Sequence, residues 1–323
     1  MNEAPHKTPS RLTDAPGTHS FNAVPDTQIP RLEMRGVVCC FVAVAVVGLA
    51  GCSAASPSSS GHTASAAAAG ASPASTEPAL VRVVSREFAF DSAHSVPAGL
   101  VAIRLVNEGK DIHMLGIARL DSGKTTADVL EAIEKNTPMS WFGEIGGPGA
   151  ISPGDSTTQY AVLQPGRYSM ICWWPDSTGK AHVLSGMTST LTVTGDSAGA
   201  PIEPTPDIYL RERDYHIAAT GAFTAGHHVF RVDNDGPQSH DVAILRVLPG
   251  KTDAEIDAWL DKPTMSNAPV EAVGGTVGMV RWAHTEFAAD LKTGNYIILC
   301  LMPDVKDGKP HFMHGMQTRI SVS

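Results

Sequence analysis

The feature that most constrains this chain is an internal repeat: from about residue 79 onward the sequence returns to the same pattern at an interval of 127 to 129 residues. Asn107 and Asn234 stand 127 apart, as do His113 and His240. Cys172 and Cys300 stand 128 apart, as do the turns Pro165-Gly166-Arg167-Tyr168 and Thr293-Gly294-Asn295-Tyr296. His182 with His311, and Met187 with Met316, stand 129 apart, so two small insertions account for the drift. Each copy is long enough for a domain, which gives domain 1 at 79–195, a Pro- and Gly-bearing linker at 196–206, and domain 2 at 207–323.

Within each copy the apolar residues fall in short Val-, Ile-, Leu-, Thr- and Tyr-rich runs bounded by Gly, Asn, Asp or Pro, the signature of strands. "LVAIRLVN" matches "HHVFRVDN", "HMLGIARL" matches "HDVAILRV", "GRYSMIC" matches "GNYIILC", and "TSTLTV" matches "QTRISV". One helix interrupts each series. "TTADVLEAIEK" carries Val129, Leu130 and Ile133 on one stripe, and "TDAEIDAWLDK" carries Ile256, Trp259 and Leu260 at the matching places. Thr125 with Asp128, and Thr252 with Glu255, stand at capping-box spacing. The expected fold is all-β: two tandem β-sandwiches, each with one short inserted helix packed on it as a lid or crossover.

Ahead of the repeat, "MRGVVCCFVAVAVVGLAGC" at 34–52 places one arginine before an apolar run that stops at Leu49-Ala50-Gly51-Cys52. This resembles a bacterial lipoprotein signal peptide, and the run is short for a bilayer span. The resemblance implies cleavage before Cys52 and lipidation of its thiol, and so an extracytoplasmic protein anchored to a cell membrane. Residues 1–51 are then leader and signal, with Met34 a candidate start, and the Ser-, Ala- and Pro-rich 52–78 is a disordered tether. A net charge of −9 with no run of Lys or Arg argues against a nucleic-acid partner.

With Cys39 and Cys40 removed and Cys52 acylated, the folded part keeps two of the five cysteines, Cys172 and Cys300. In an oxidising compartment they should pair, be buried, or be held as thiolates by a metal. Equivalent positions of tandem domains seldom meet, which disfavours a Cys172–Cys300 disulfide. The sulfur and imidazole residues that recur at matching places are His113, Cys172, His182 and Met187, then His240, Cys300, His311 and Met316. Two imidazoles, a thiolate and a thioether suit copper, and a His2Cys plane with a weak axial Met is the ligand set of a blue-copper site. Duplication makes the two sets dependent, so retention for packing is the competing reading.

On these residues the chain resembles the cupredoxins, which include plastocyanin, azurin and the type 1 domain of copper nitrite reductases. The likeness rests on Asn107 with His113, Gly166-Arg167-Tyr168 before Cys172, and "HVLSGM" at 182–187, with Asn234, His240, Gly294-Asn295-Tyr296, Cys300 and His311 to Met316 in the second copy. It implies Greek-key cupredoxin-like sandwiches, up to two type 1-like copper ions in all with one near one end of each sandwich, and His182 and His311 as exits for electrons to a redox partner protein. Nine residues separate Cys172 from His182 and ten separate Cys300 from His311, longer loops than in plastocyanin or azurin. Ile171 and Trp173 flank one cysteine, and Leu299 and Leu301 the other, so the His-Cys elements that carry catalytic copper are missing and no enzyme is expected. Electron transfer is the leading expectation. Copper storage, delivery or sensing, or metal-free protein binding, is the alternative.

Overall fold

The computed structural model describes residues 77–195, 202–262 and 268–323. The leader, the signal segment with Cys52, and most of the expected tether lie outside them. The first half contains β1 (Ala79–Arg86), β2 (Ala89–Ser92), β3 (Ser95–Pro97), β4 (Gly99–Asn107), β5 (Gly116–Leu120), α1 (Thr126–Glu134), β6 (Phe142–Gly146), β7 (Ser156–Leu163), β8 (Gly166–Ile171) and β9 (Thr188–Thr194). The second contains β10 (Ile208–Arg213), β11 (His216–Gly221), β12 (Gly226–Asn234), β13 (His240–Val247), α2 (Asp253–Asp261), β14 (Val270–Met279), β15 (His284–Leu291), β16 (Gly294–Leu299) and β17 (Gln317–Val322). A short 3-10 turn precedes the last strand of each half, at His182–Ser185 and His311–His314.

Each half is a sandwich of two sheets. In the first, β2-β1-β4-β7 faces β3-β9-β8-β5-β6; in the second, β11-β10-β12-β15 faces β14-β13-β16-β17. The alternation along β4 explains its place: Val101, Ile103 and Leu105 turn inward to a core shared with Val81, Leu115, Met170 and Leu191. Phe230, Val232, Ile244, Phe287 and Ile298 form the matching core of the second half. The repeated Gly-x-Tyr turns carry the chain from one sheet to the other, from β7 into β8 and from β15 into β16. Buried Tyr168 donates its hydroxyl proton to Gln164 O at 2.8 Å and Tyr296 donates to Lys292 O at 2.7 Å, which fixes the register of the strand that leads into each cysteine.

Both helices are crossovers between adjacent strands, α1 from β5 to β6 and α2 from β13 to β14. Both capping boxes form, Thr125 with Asp128 and Thr252 with Glu255. α1 buries Val129 and Ala132, and α2 buries Ile256 and Leu260. The "HMLGIARL" segment is a strand only from Gly116; His113 instead forms an isolated bridge to Ile151.

The halves are not beads on a linker. β7 pairs antiparallel with β15, its own repeat equivalent, and joins one sheet from each half into a continuous eight-stranded sheet. The register runs Tyr160 to Glu286, Gln159 to Phe287 and Thr158 to Ala288. Since Thr158 and Glu286 are equivalent, as are Tyr160 and Ala288, the pairing is symmetric about Gln159 and Phe287, as across a two-fold axis. Side chains repeat the symmetry: Thr157 Oγ1 donates to Ala288 O at 3.0 Å and Thr285 Oγ1 to Tyr160 O at 3.4 Å. Alongside, Gly149 N donates to Gly275 O, Val277 N to Gly147 O and Ser152 N to Ala272 O. A hydrophobic cluster drawn from both halves includes Met114, Cys172 and Met187 with Val277, Ile297 and Leu299.

Candidate metal centres

β5 and β8 pair with Gly116 opposite Ile171, and β8 and β9 pair with Ile171 opposite Thr188. The segments bearing His113, Cys172 and Met187 therefore leave the sheet at one end. Asn107 holds the first of them. Its buried side chain donates from Nδ2 to Asp111 O at 2.8 Å and Ile151 O at 3.0 Å and accepts from Gly109 N at 2.9 Å, shaping the loop that ends in His113. Asn234 does the same for His240, donating to Gln238 O and Met279 O and accepting from Gly236 N.

The Cys–His–Met loop is tied by backbone bonds. His182 N donates to Trp174 O, Val183 N to Cys172 O, Met187 N to His182 O, and Cys172 N to Met187 O. The second half repeats all four with His311 and Met302, Phe312 and Cys300, Met316 and His311, and Cys300 and Met316. Gly186 and Gly315 end the 3-10 turns at φ of 94° and 96°, left-handed backbone that returns the chain to the methionine and that residues with a Cβ resist. The extra residue of the second loop sits at its tip. The bond from Asp176 N to Lys180 O becomes one from Asp304 N to Lys309 O, and the base of the loop is unchanged.

The result is one cluster in each half. His113 Nδ1 lies 3.2 Å from His182 Nδ1, with Cys172 Sγ at 4.0 and 3.5 Å from them. His240 Nδ1 lies 3.0 Å from His311 Nδ1, with Cys300 Sγ at 3.8 and 3.4 Å. A trigonal ion with bonds of about 2.0 Å to nitrogen and 2.3 Å to sulfur would set these separations near ~3.5 and ~3.7 Å, so both triangles fit one metal ion each. All six residues are fully buried, and so are Met187 and Met316, which pack in the same apolar clusters as Cys172 and Cys300 respectively. Both cysteines are free. Two sheets of this topology with His, Cys, His and Met gathered at one end are cupredoxin-like.

The electrostatics suit a cation. Burial, and then the neighbouring imidazole, hold His113 and His240 down to about 4, so the ring nitrogens facing each centre are neutral. Burial pushes the Cys172 thiol up to about 11 and the Cys300 thiol well above its usual range. Nearby backbone N–H groups favour the thiolate, those of Met114 and Trp174 for Cys172, and those of Asp241 and Met302 for Cys300. A metal supplies the charge that makes the thiolate stable there.

Residues around the donors that were not singled out from sequence differ between the halves. Glu87 and Phe88 in the first correspond to Asp214 and Tyr215 in the second, on the turns from β1 to β2 and from β10 to β11. Phe88 and Tyr215 have positive φ, 59° and 66°, and meet His182 and His311 edge-on with ring centroids 5.2 and 5.7 Å apart. Neither His182 nor His311 is exposed, and an aromatic ring stands against each. A carboxylate faces the remote nitrogen of the other histidine, Glu87 at 3.9 Å from His113 Nε2 and Asp214 at 3.1 Å from His240 Nε2. Asp241 and Glu212 are buried by the second centre, where Met114 and Ser85 occupy the equivalent places in the first. Burial raises Asp241 to about 6 and Glu212 well above the carboxyl range. Trp173 and Trp174 are half-buried packing residues. His216, His284 and His314 lie at the surface, while His227 is exposed and its neighbour His228 buried, as opposite faces of β12 require.

No protein-family model and no curated protein matches the chain. Similar solved structures include a dithionite-reduced auracyanin from Roseiflexus castenholzii, 24% identical over 36% of this chain and 97% of that one, TM-score 0.27. Auracyanin A, a blue copper protein from Chloroflexus aurantiacus, is 20% identical over 36% and 100%, TM-score 0.27. A blue copper oxidase from Nitrosomonas europaea is 14% identical over 76% and 86%, TM-score 0.23.

Proposed function

We propose that each half holds one copper ion, through His113, Cys172, His182 and Met187 in the first and His240, Cys300, His311 and Met316 in the second. The protein would carry single electrons on the outer side of a membrane to which lipidated Cys52 tethers it, delivering them to a redox partner protein. One observation carries this reading: in both halves two imidazole nitrogens and a sulfur, remote in sequence, stand fully buried at the spacing of a trigonal ion.

Copper bound there supplies one-electron chemistry. The chain's part is to keep the donors in place in either oxidation state, which the Asn clamps and the four-bond loop do, and to exclude water, which burial does. Storage or delivery is less well served, because an ion under Phe88 or Tyr215 has no open path to an acceptor, whereas electrons pass through packed aromatic edges. Catalysis is disfavoured by Ile171, Trp173, Leu299 and Leu301, which leave no imidazole beside either cysteine for a second copper.

Adding Cu(II) to the purified protein should produce the strong visible thiolate-to-copper band. Cys172→Ser and Cys300→Ser should each remove part of it, and the double variant all of it. A colourless wild type sinks the copper reading. Reversible reduction and reoxidation of the band without loss of metal supports electron transfer, whereas Cu(I)-only binding with release to an acceptor supports delivery. Cys52→Ser should move the protein from the membrane fraction to the soluble one.

A further inference from the structure

The two centres have the same four proposed ligands and different surroundings, and the difference runs one way. In the second half each histidine has an acceptor on its remote nitrogen: His240 Nε2 meets Asp214 Oδ1 at 3.1 Å and His311 Nε2 meets Gln238 Oε1 at 3.4 Å, with Asp304 Oδ2 at 3.7 Å. In the first half His113 Nε2 and His182 Nε2 are buried with no hydrogen-bond partner. Glu87 Oε1 is 3.9 Å from His113 Nε2 but already accepts from the backbone N–H groups of Lys110 and Asp111, and the charges of Asp111 and Asp176 reach His182 without a hydrogen bond to it. Beside each sulfur a backbone N–H favours the thiolate, that of Asp241 at 3.4 Å from Cys300 Sγ and that of Met114 by Cys172, but the side chains differ: the buried Asp241 carboxylate accepts from Leu301 N at 2.6 Å, where Met114 carries a thioether.

A carboxylate accepting from the far nitrogen of a ligating imidazole makes that imidazole a stronger donor, and negative charge near the ion favours the more positive oxidation state. An apolar shell without such acceptors favours the less charged Cu(I), because hydrophobicity and hydrogen bonding around a type 1 site set its potential. We infer that the second centre has the lower reduction potential and the first the higher, with Asp214, Gln238 and Asp241 as the positioning residues that set the gap. One electron leaving Cu(I) in the second half and reducing Cu(II) in the first then runs downhill with no proton moved, so electrons collect in domain 1. This rests on the reading that both centres hold copper.

The test uses the full chain with one centre left at a time, Cys172→Ser to keep the second and Cys300→Ser to keep the first. The visible band of each is followed as the solution potential is stepped. At the potential where the second centre is half reduced, the first should hold at least about ten Cu(I) for each Cu(II), a gap of about 59 mV for one electron. Asp214→Asn and Asp241→Met, each placed in the Cys172→Ser chain, should raise its midpoint toward that of the first centre. Gln238→Leu should shift it in the same direction, and serves where either carboxylate variant fails to fold. Equal midpoints, the reverse order, or folded variants that leave the midpoint of the second centre unmoved overturn the ordering while leaving copper binding intact. Absence of a band from both single-centre proteins overturns the copper reading and the ordering with it.

Discussion

Replacing Asn107 with Ala isolates the clamp that precedes the first centre. The side chain is fully buried and makes three hydrogen bonds, to Asp111 O, Ile151 O and Gly109 N, all to backbone groups that have few alternatives. At about 1 kcal/mol net for each, with the buried Ile151 carbonyl left partly unsatisfied, the loss comes to ~3 kcal/mol. With a urea dependence of ~2–3 kcal/mol per molar, the unfolding midpoint of the metal-free protein should fall by about 1 M. Loop 108–112 would also lose the ties that aim His113, so the copper band of the first centre should weaken while that of the second persists. Asn234→Ala should give the mirror result. An unchanged urea midpoint with the first centre's band intact, or loss of the second centre's band instead, would show that the asparagines do not shape these loops.

Glu212→Gln tests the buried acid near the second centre. Burial, and then Asp241, raise its folded pKa above the unfolded value, so wild-type stability declines as pH rises past the ordinary carboxyl range. The variant should gain on wild type, metal-free, as pH goes from 4 to 8, and urea midpoints across that range that move in parallel would refute this. Gly149→Ala places a Cβ 2.6 Å from the Gly275 carbonyl carbon across the join between halves, and should cost about 1–3 kcal/mol by calorimetry or urea. Thr252→Ala removes the cap of α2, whose hydroxyl accepts from Glu255 N at 3.3 Å, and should cost about 1 kcal/mol in thermal unfolding while leaving both copper bands alone.

The donors were legible because a side chain that binds something must recur in kind as well as in place. His113, Cys172 and His182 keep their identity across the repeat, and burial and geometry bring them together. The strands next to them were legible because they alternate or end on a Gly-x-Tyr turn. The N-terminal strands β1 and β10 and the joining strands β7 and β15 were harder: "STTQYAVL" and "HTEFAADL" mix polar and apolar residues because one face meets the core and the edge meets the other half. β14 carries Gly274, Gly275 and Gly278, which break a strand pattern in sequence; a Cβ there would meet the Thr157 side chain at Gly274, the Val242 backbone at Gly275 and the Glu144 side chain at Gly278. The residues around the ligands were hidden because they differ between copies. A signal was nonetheless present: Arg86-Glu87-Phe88 and Arg213-Asp214-Tyr215 keep the 127-residue spacing, an acid followed by an aromatic ahead of the first flagged asparagine.

The symmetric pairing of β7 with β15 also says how each half would behave apart from the other. Cut from its neighbour, either half bares a strand of unpaired amides and carbonyls beside an apolar seam, and the partner that fits that margin best is a second copy of itself. A severed half should therefore be recovered as a homodimer with the same antiparallel seam. Covalent fusion removes that choice: it fixes the stoichiometry at one of each, and lets the surroundings of one metal pocket change without changing those of the other.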